Sequence, residues 1–172
     1  ISDKQNKVTI AKTDNGSTVT ALSGATFVIN GIMQGDTGTA ATDHSYDFGT
    51  VSSKDFTGSF IAEKTYTISE TVPPDGYKVI TTPFAVKMQN DGQLVFTETD
   101  STNPKIISSD FSNGTAATAS GSTVTSTLTL PGTQIEVIIT STLDTSVSPN
   151  RYTANTLTVR DEKNTFSINK NA

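Results

Sequence analysis

Residues 65–77 read Thr65-Tyr66-Thr67-Ile68-Ser69-Glu70-Thr71-Val72-Pro73-Pro74-Asp75-Gly76-Tyr77. Over the first six, Tyr66, Ile68 and Glu70 share one face and Thr65, Thr67 and Ser69 the other. This is the period-two pattern of a half-buried strand. Pro73 and Pro74 stop the strand, and Asp75-Gly76 turns the chain. The apolar face therefore ends in a carboxylate, Glu70. A carboxylate in line with core residues is costly unless it is protonated or paired, so the reading turns on what Glu70 meets.

Two more stretches end the same way. In residues 8–12, Val8 and Ile10 share a face with Lys12; in residues 156–161, Leu157 and Val159 share one with Asp161. A strand end at the solvent explains any one of these charges. Three together, one amine and two acids, favour a buried cluster.

Between these stretches the pattern predicts strands over 22–29, 56–61, 124–130 and 134–140, and a hairpin of 84–88 with 94–96 around Asp91-Gly92. Residues 77–80 read as extended. Residues 30–50 and 141–150 read as loops, and the sole histidine, His44, as a solvated loop side chain. Residues 98–126 lose the alternation, and Lys105–Ile107 is expected to pair somewhere. No stretch holds a helical period, so the chain reads as all-β.

Composition narrows the function. The 172 residues carry a net charge of −5, which argues against a nucleic-acid surface. With no cysteine, disulfides and thiolate metal sites are excluded. No apolar run reaches transmembrane length. There is no nucleophile elbow, zinc motif, phosphate loop or cofactor fingerprint, so no turnover enzyme and no cofactor is expected. Asp14-Asn15-Gly16-Ser17 is too short for a calcium loop, and no metal site is expected.

The two ends resemble each other. Asp3, Asn6, Ile10 and Lys12 match Asp161, Asn164, Ile168 and Lys170 at one constant offset. Fixed spacing marks modular arrays. Residues 1–6 then read as a linker or the end of a preceding module, 7–163 as one domain, and 164–172 as a linker or the start of a following module.

The ordered pieces Val8–Asp14, Leu22–Phe27, Lys64–Tyr77, the Asp91-Gly92 hairpin and Leu157–Asp161 resemble the collagen-adhesin B-type (Cna B-type) domains of Gram-positive pilins and surface adhesins. The Glu-x-x-x-Pro-x-Gly-Tyr piece is the most specific. The resemblance covers about residues 7–97 and 156–162, and implies an Ig-like β-sandwich with a long insertion, about 98–155, before the last strand. It also implies an intramolecular isopeptide bond, with Lys12 as nucleophile, Asp161 as acceptor and Glu70 as the catalytic proton shuttle. Asparagine is the commoner acceptor, so Asp161 departs from the pattern and would release water instead of ammonia. The rival Asn169 falls on the opposite face from Phe166, Ile168 and Lys170.

The function implied is a stalk or shaft module of a cell-wall-anchored pilin or adhesin, extracellular on a Gram-positive surface. Its partners would be neighbouring modules of the same polypeptide or pilus, with no nucleic acid and no membrane insertion. The alternative is a ligand-binding adhesin domain whose 98–155 insertion meets a host protein or glycan. That insertion holds few aromatics, Phe111 and Tyr152, and so shows no large hot-spot patch.

Overall fold

In a computed structural model of the chain, the described residues are 6–31, 33–34, 39–40, 43–99 and 104–165. They form two main sheets. The larger contains β1 (Lys7–Asp14), β6 (Ser53–Thr57), β10 (Phe111–Ser112), β11 (Thr123–Thr129), β12 (Glu136–Asp144) and β13 (Arg151–Asp161), in the order β10-β11-β12-β13-β1-β6. The smaller contains β2 (Thr26–Asn30), β5 (Asp43–Asp47), β7 (Thr65–Val72), β8 (Phe84–Met88) and β9 (Leu94–Thr97), in the order β5-β2-β7-β8-β9. Two short strands, β3 (Met33–Gln34) and β4 (Thr39–Ala40), pair with each other.

Each long strand of the larger sheet buries alternate residues. The inward rows meet those of the smaller sheet in one core. Val8, Ile10, Val137, Ile139, Leu157 and Val159 pack with Phe27, Ile29, Tyr66, Ile68, Phe84 and Phe96. This is the sandwich that alternating apolar strands dictate. An aromatic row runs across it, with Phe60 placed 4.7 Å from Tyr66 and 6.2 Å from Phe56, ring centre to ring centre.

The 98–155 insertion builds half of the larger sheet. It supplies β10, β11, β12 and the start of β13, and its residues Leu128, Leu130, Ile135, Val137 and Ile139 belong to the common core. Where alternation fades, single side chains do the joining. The Asn113 amide accepts from Phe96 N–H at 3.1 Å and donates to Phe96 C=O at 3.2 Å, standing in for a neighbouring strand beside β9. Ile106 is buried and exchanges two bonds with Thr99, so the expected pairing around Lys105–Ile107 is met there.

Several expected boundaries shift. Residues 30–50 are not all loop, because β5 adds an edge strand antiparallel to β2, with His44 opposite Ile29 in register. The expectation for the His44 side chain lies outside the described residues. The strand expected at 22–29 starts at Thr26, since Gly24 has φ +88 and breaks the extension. That expected at 56–61 runs Ser53–Thr57 and stops before Gly58, φ +67. The loop expected at 141–150 is shorter, because β12 continues to Asp144 and β13 begins at Arg151. The matched end segment from Phe166 to Lys170, with Asn169, and the counterpart residues before Asn6 lie outside the described residues.

One feature places the site. β1 and β13 are parallel neighbours, with Lys12 opposite Val159 and Asp14 opposite Asp161. The first and last long strands therefore lie side by side, and both inward rows face β7.

Candidate functional site

Lys12, Glu70 and Asp161 meet in the core. The residue exposures of Lys12 and Asp161 are both 0%, and the Glu70 side chain is likewise wholly buried. In a parallel pair, residues two apart on neighbouring strands are offset by about 6.6 Å along the strand. The four-carbon stem of Lys12 spans that offset toward Asp161. Lys12 Nζ lies 2.9 Å from Asp161 Oδ2 and 2.5 Å from Glu70 Oε1. The Phe27 ring covers the amine, its centre 5.5 Å from Nζ.

The second oxygen of each acid is held by a backbone donor. Glu70 Oε2 accepts from Ile80 N–H at 2.9 Å, and Asp161 Oδ1 accepts from Glu162 N–H at 2.8 Å. Asp161 Oδ2 touches the amine but has no aligned hydrogen-bond donor. That contact is proximity without a hydrogen bond.

Burial pushes the Glu70 carboxyl above the ordinary carboxylate range. Lys12 and the Ile80 amide pull it back in part, and the charge of Asp161 adds to the rise. With all three groups ionised, the core would hold a net negative charge at large desolvation cost. A proton on Glu70 brings the trio to neutrality.

This has a consequence for pH. In Lys12→Ala the main pull downward is gone, and Glu70 stays high in the folded protein. The folded state then binds more protons than the unfolded one above the ordinary value of 4.5. Its stability is therefore lost as pH rises from there through the folded value. Urea midpoints of Lys12→Ala are expected to fall from mildly acidic to mildly alkaline buffer, and Lys12→Ala/Glu70→Leu should flatten the slope. An equal slope in both variants would remove Glu70 as its source.

The family model for the SpaA prealbumin-like fold domain matches residues 6–103. The chain belongs to that family. The matched span of this SpaA prealbumin-like domain contains Lys12 and Glu70 and ends before β13, so Asp161 lies beyond it. No curated protein matches the chain. Solved structures similar to it include the pilus adhesin SpaC from Lactobacillus rhamnosus GG in an open conformation, at 19% identity and TM-score 0.47, covering 95% of this chain and 15% of that one. Another is the group B streptococcus pilus 2b backbone protein, at 26% identity and TM-score 0.42, covering 61% and 38%. A third is the pilus adhesin RrgA from Streptococcus pneumoniae, at 16% identity and TM-score 0.36, covering 81% and 20%. The chain thus spans well under half the length of each.

All three residues singled out in the sequence come together in this SpaA-type domain. The alternation that aligned each charge with an apolar row was the signal. Sequence reasoning missed the Ile80 and Glu162 amides and the Phe27 ring. A backbone donor has no residue-type signature, so no pattern could have shown the first two.

Proposed function

We propose that this domain is a structural stalk or shaft module of a pilin or adhesin, braced by an autocatalytic isopeptide bond between Lys12 and Asp161. The observation that carries the reading is a wholly buried amine in contact with two wholly buried acids, on the first and last long strands and the strand facing them. Such a trio is a poor stabiliser as ions. It is well placed to react.

Neutral Lys12 Nζ attacks Asp161 Cγ, forming the Nζ–Cγ bond. The amine is neutral once its extra proton has passed to Asp161, and protonated Glu70 then gives its proton to the departing Asp161 oxygen and takes one from Nζ in return. The Cγ–O bond breaks, one water leaves, and Glu70 is restored. Amine plus carboxylic acid gives amide plus water, with no other reactant. The fold holds the groups in contact, and such positioning is worth roughly 7–11 kcal/mol of barrier. Each molecule reacts once, so this is maturation and not turnover.

In this reading residues 7–163 form the domain, with 1–6 and 164–172 as connections to neighbouring modules, on the extracellular, cell-wall-anchored surface of a Gram-positive bacterium. The 98–155 insertion buries its apolar row in the common core, which favours a structural role for it over a ligand-binding one.

Intact mass tests the proposal. The chain is expected to be one water lighter than its sequence, and Lys12→Ala and Glu70→Ala to have their full sequence masses. A full-mass wild-type chain would refute the bond. A loss of ammonia would move the acceptor from Asp161 to an asparagine.

A further inference from the structure

Past β7 the chain makes a crossing that the alternation of its residues does not explain. Pro73 and Pro74 lead into a turn at Gly76, φ +84, closed by Tyr77 N–H donating to Pro74 C=O at 3.1 Å. The next residues run to the other sheet and tie to the chain just after Asp161. Tyr77 forms an antiparallel bridge with Lys163, and Lys78 N–H donates to Glu162 C=O at 2.9 Å. Asn164 N–H donates to Gly76 C=O at 2.9 Å, and Lys78 Nζ donates to Glu162 Oε1 at 3.0 Å. Only then does Ile80 turn inward, buried, with its N–H on Glu70 Oε2.

We propose that residues 73–80 are a positioning strap for the crosslinking reaction, in which the Ile80 amide fixes which oxygen of Glu70 carries the proton. The proposal rests on the isopeptide reading. An oxygen accepting an N–H is the poorer seat for a proton. Oε1 also accepts an N–H, from Lys12 Nζ at 2.5 Å, but an amine that has gone neutral can accept in turn and a backbone amide cannot, so in the reactive state the acid proton sits on Oε1. The shuttle is thus aimed at the amine.

The same tie orders the acceptor. Glu162, gripped by Lys78 at both backbone and side chain, gives its N–H to Asp161 Oδ1. Negative charge developing in the attack collects on that oxygen, which stays as the amide carbonyl. Oδ2, in contact with Nζ and lacking an aligned donor, is the one protonated by Glu70 Oε1–H and lost as water. Ile80 and Lys78 are positioning residues, since neither exchanges an atom with the reacting groups.

The test starts from an uncrosslinked chain, assembled by segment ligation in denaturant and refolded by dilution, with samples quenched for intact mass. Replacing the residue-80 amide by an ester removes its N–H alone. Water loss is expected to slow by roughly 10–100-fold, whereas Ile80→Val, which keeps the N–H, should react near the wild-type rate. The ester also removes one group that draws Glu70 downward, so the alkaline limb of the rate profile should move to higher pH. A general loosening of the fold would lower the rate without moving the limb. A folded ester variant with the wild-type rate and limb would overturn the proposal. Should the ester fail to fold, the half-buried Lys78 decides: Lys78→Met is expected to slow maturation several-fold and Lys78→Arg to restore it, and an unchanged rate in Lys78→Met would overturn the strap. A wild-type chain that never loses water would fail in its own arm, removing the isopeptide reading and the strap together.

Discussion

Lys12→Ala is expected to lower Tm by roughly 10–20 °C and to leave the chain at its own full sequence mass, with no water lost. A bond from Lys12 to Asp161 would close nearly the whole described chain into one loop. By analogy with a disulfide closing a loop of that size, it removes about 5 kcal/mol of unfolded-state entropy. The substitution also strands two buried acids without their amine, which adds to the loss. Asp161→Asn separates these contributions. The amide is isosteric with the acid and leaves as ammonia, so the crosslink still forms and Tm stays close to wild type. Asp161→Ala cannot form the bond and should fall with Lys12→Ala. Calorimetry alongside intact mass reads both quantities. If Lys12→Ala melted at the wild-type temperature, the covalent brace would be absent.

The second large effect lies far from the trio. Gly92→Ala is expected to cost roughly 2–6 kcal/mol, read as a lower urea midpoint with an unchanged slope. Gly92 has φ +88, and a Cβ there would run into the Tyr152 carbonyl oxygen, which is backbone and cannot swing aside. The turn of the β8–β9 hairpin is docked on the start of β13. Tyr152 N–H donates to Asp91 C=O at 2.8 Å, and Asn155 Nδ2 donates to Gly92 C=O at 2.9 Å. Asn155 Oδ1 accepts from Leu94 N–H at 3.0 Å and from Ser141 Oγ at 2.5 Å. Pushing the turn outward leaves several of these buried groups without partners. A Gly92→Ala midpoint within error of wild type would mean the hairpin turn is not held against β13.

The same Asn155 shows where the sequence stopped being readable. β1 and β7 declare themselves because their inward rows are apolar until the last charge. The inward row of β12 is Val137, Ile139, Ser141 and Leu143, and that of β13 passes through Asn155. Ser141 and Asn155 stand opposite each other and satisfy one another. Two polar residues that solve each other's burial erase the alternation on both strands, so the stretch from 141 to 155 reads as loop and a late strand start. β5 escaped for a different reason: Asp43-His44-Ser45-Tyr46-Asp47 is an edge strand with little apolar content, held by pairing with β2. The trio was legible because it breaks its rows with charge. Its supporting amides were not, since every residue but proline carries one.

The parallel pairing of β1 and β13 has a mechanical consequence. Tension applied at the two ends of the described chain would run along β1 from Lys7 to Lys12, cross the proposed amide and leave beyond Asp161. Residues 13–160, including all of the insertion, would sit off that path and bear no load. The insertion could change length or shape with no loss of tensile strength, while β1 alone would behave as the tether.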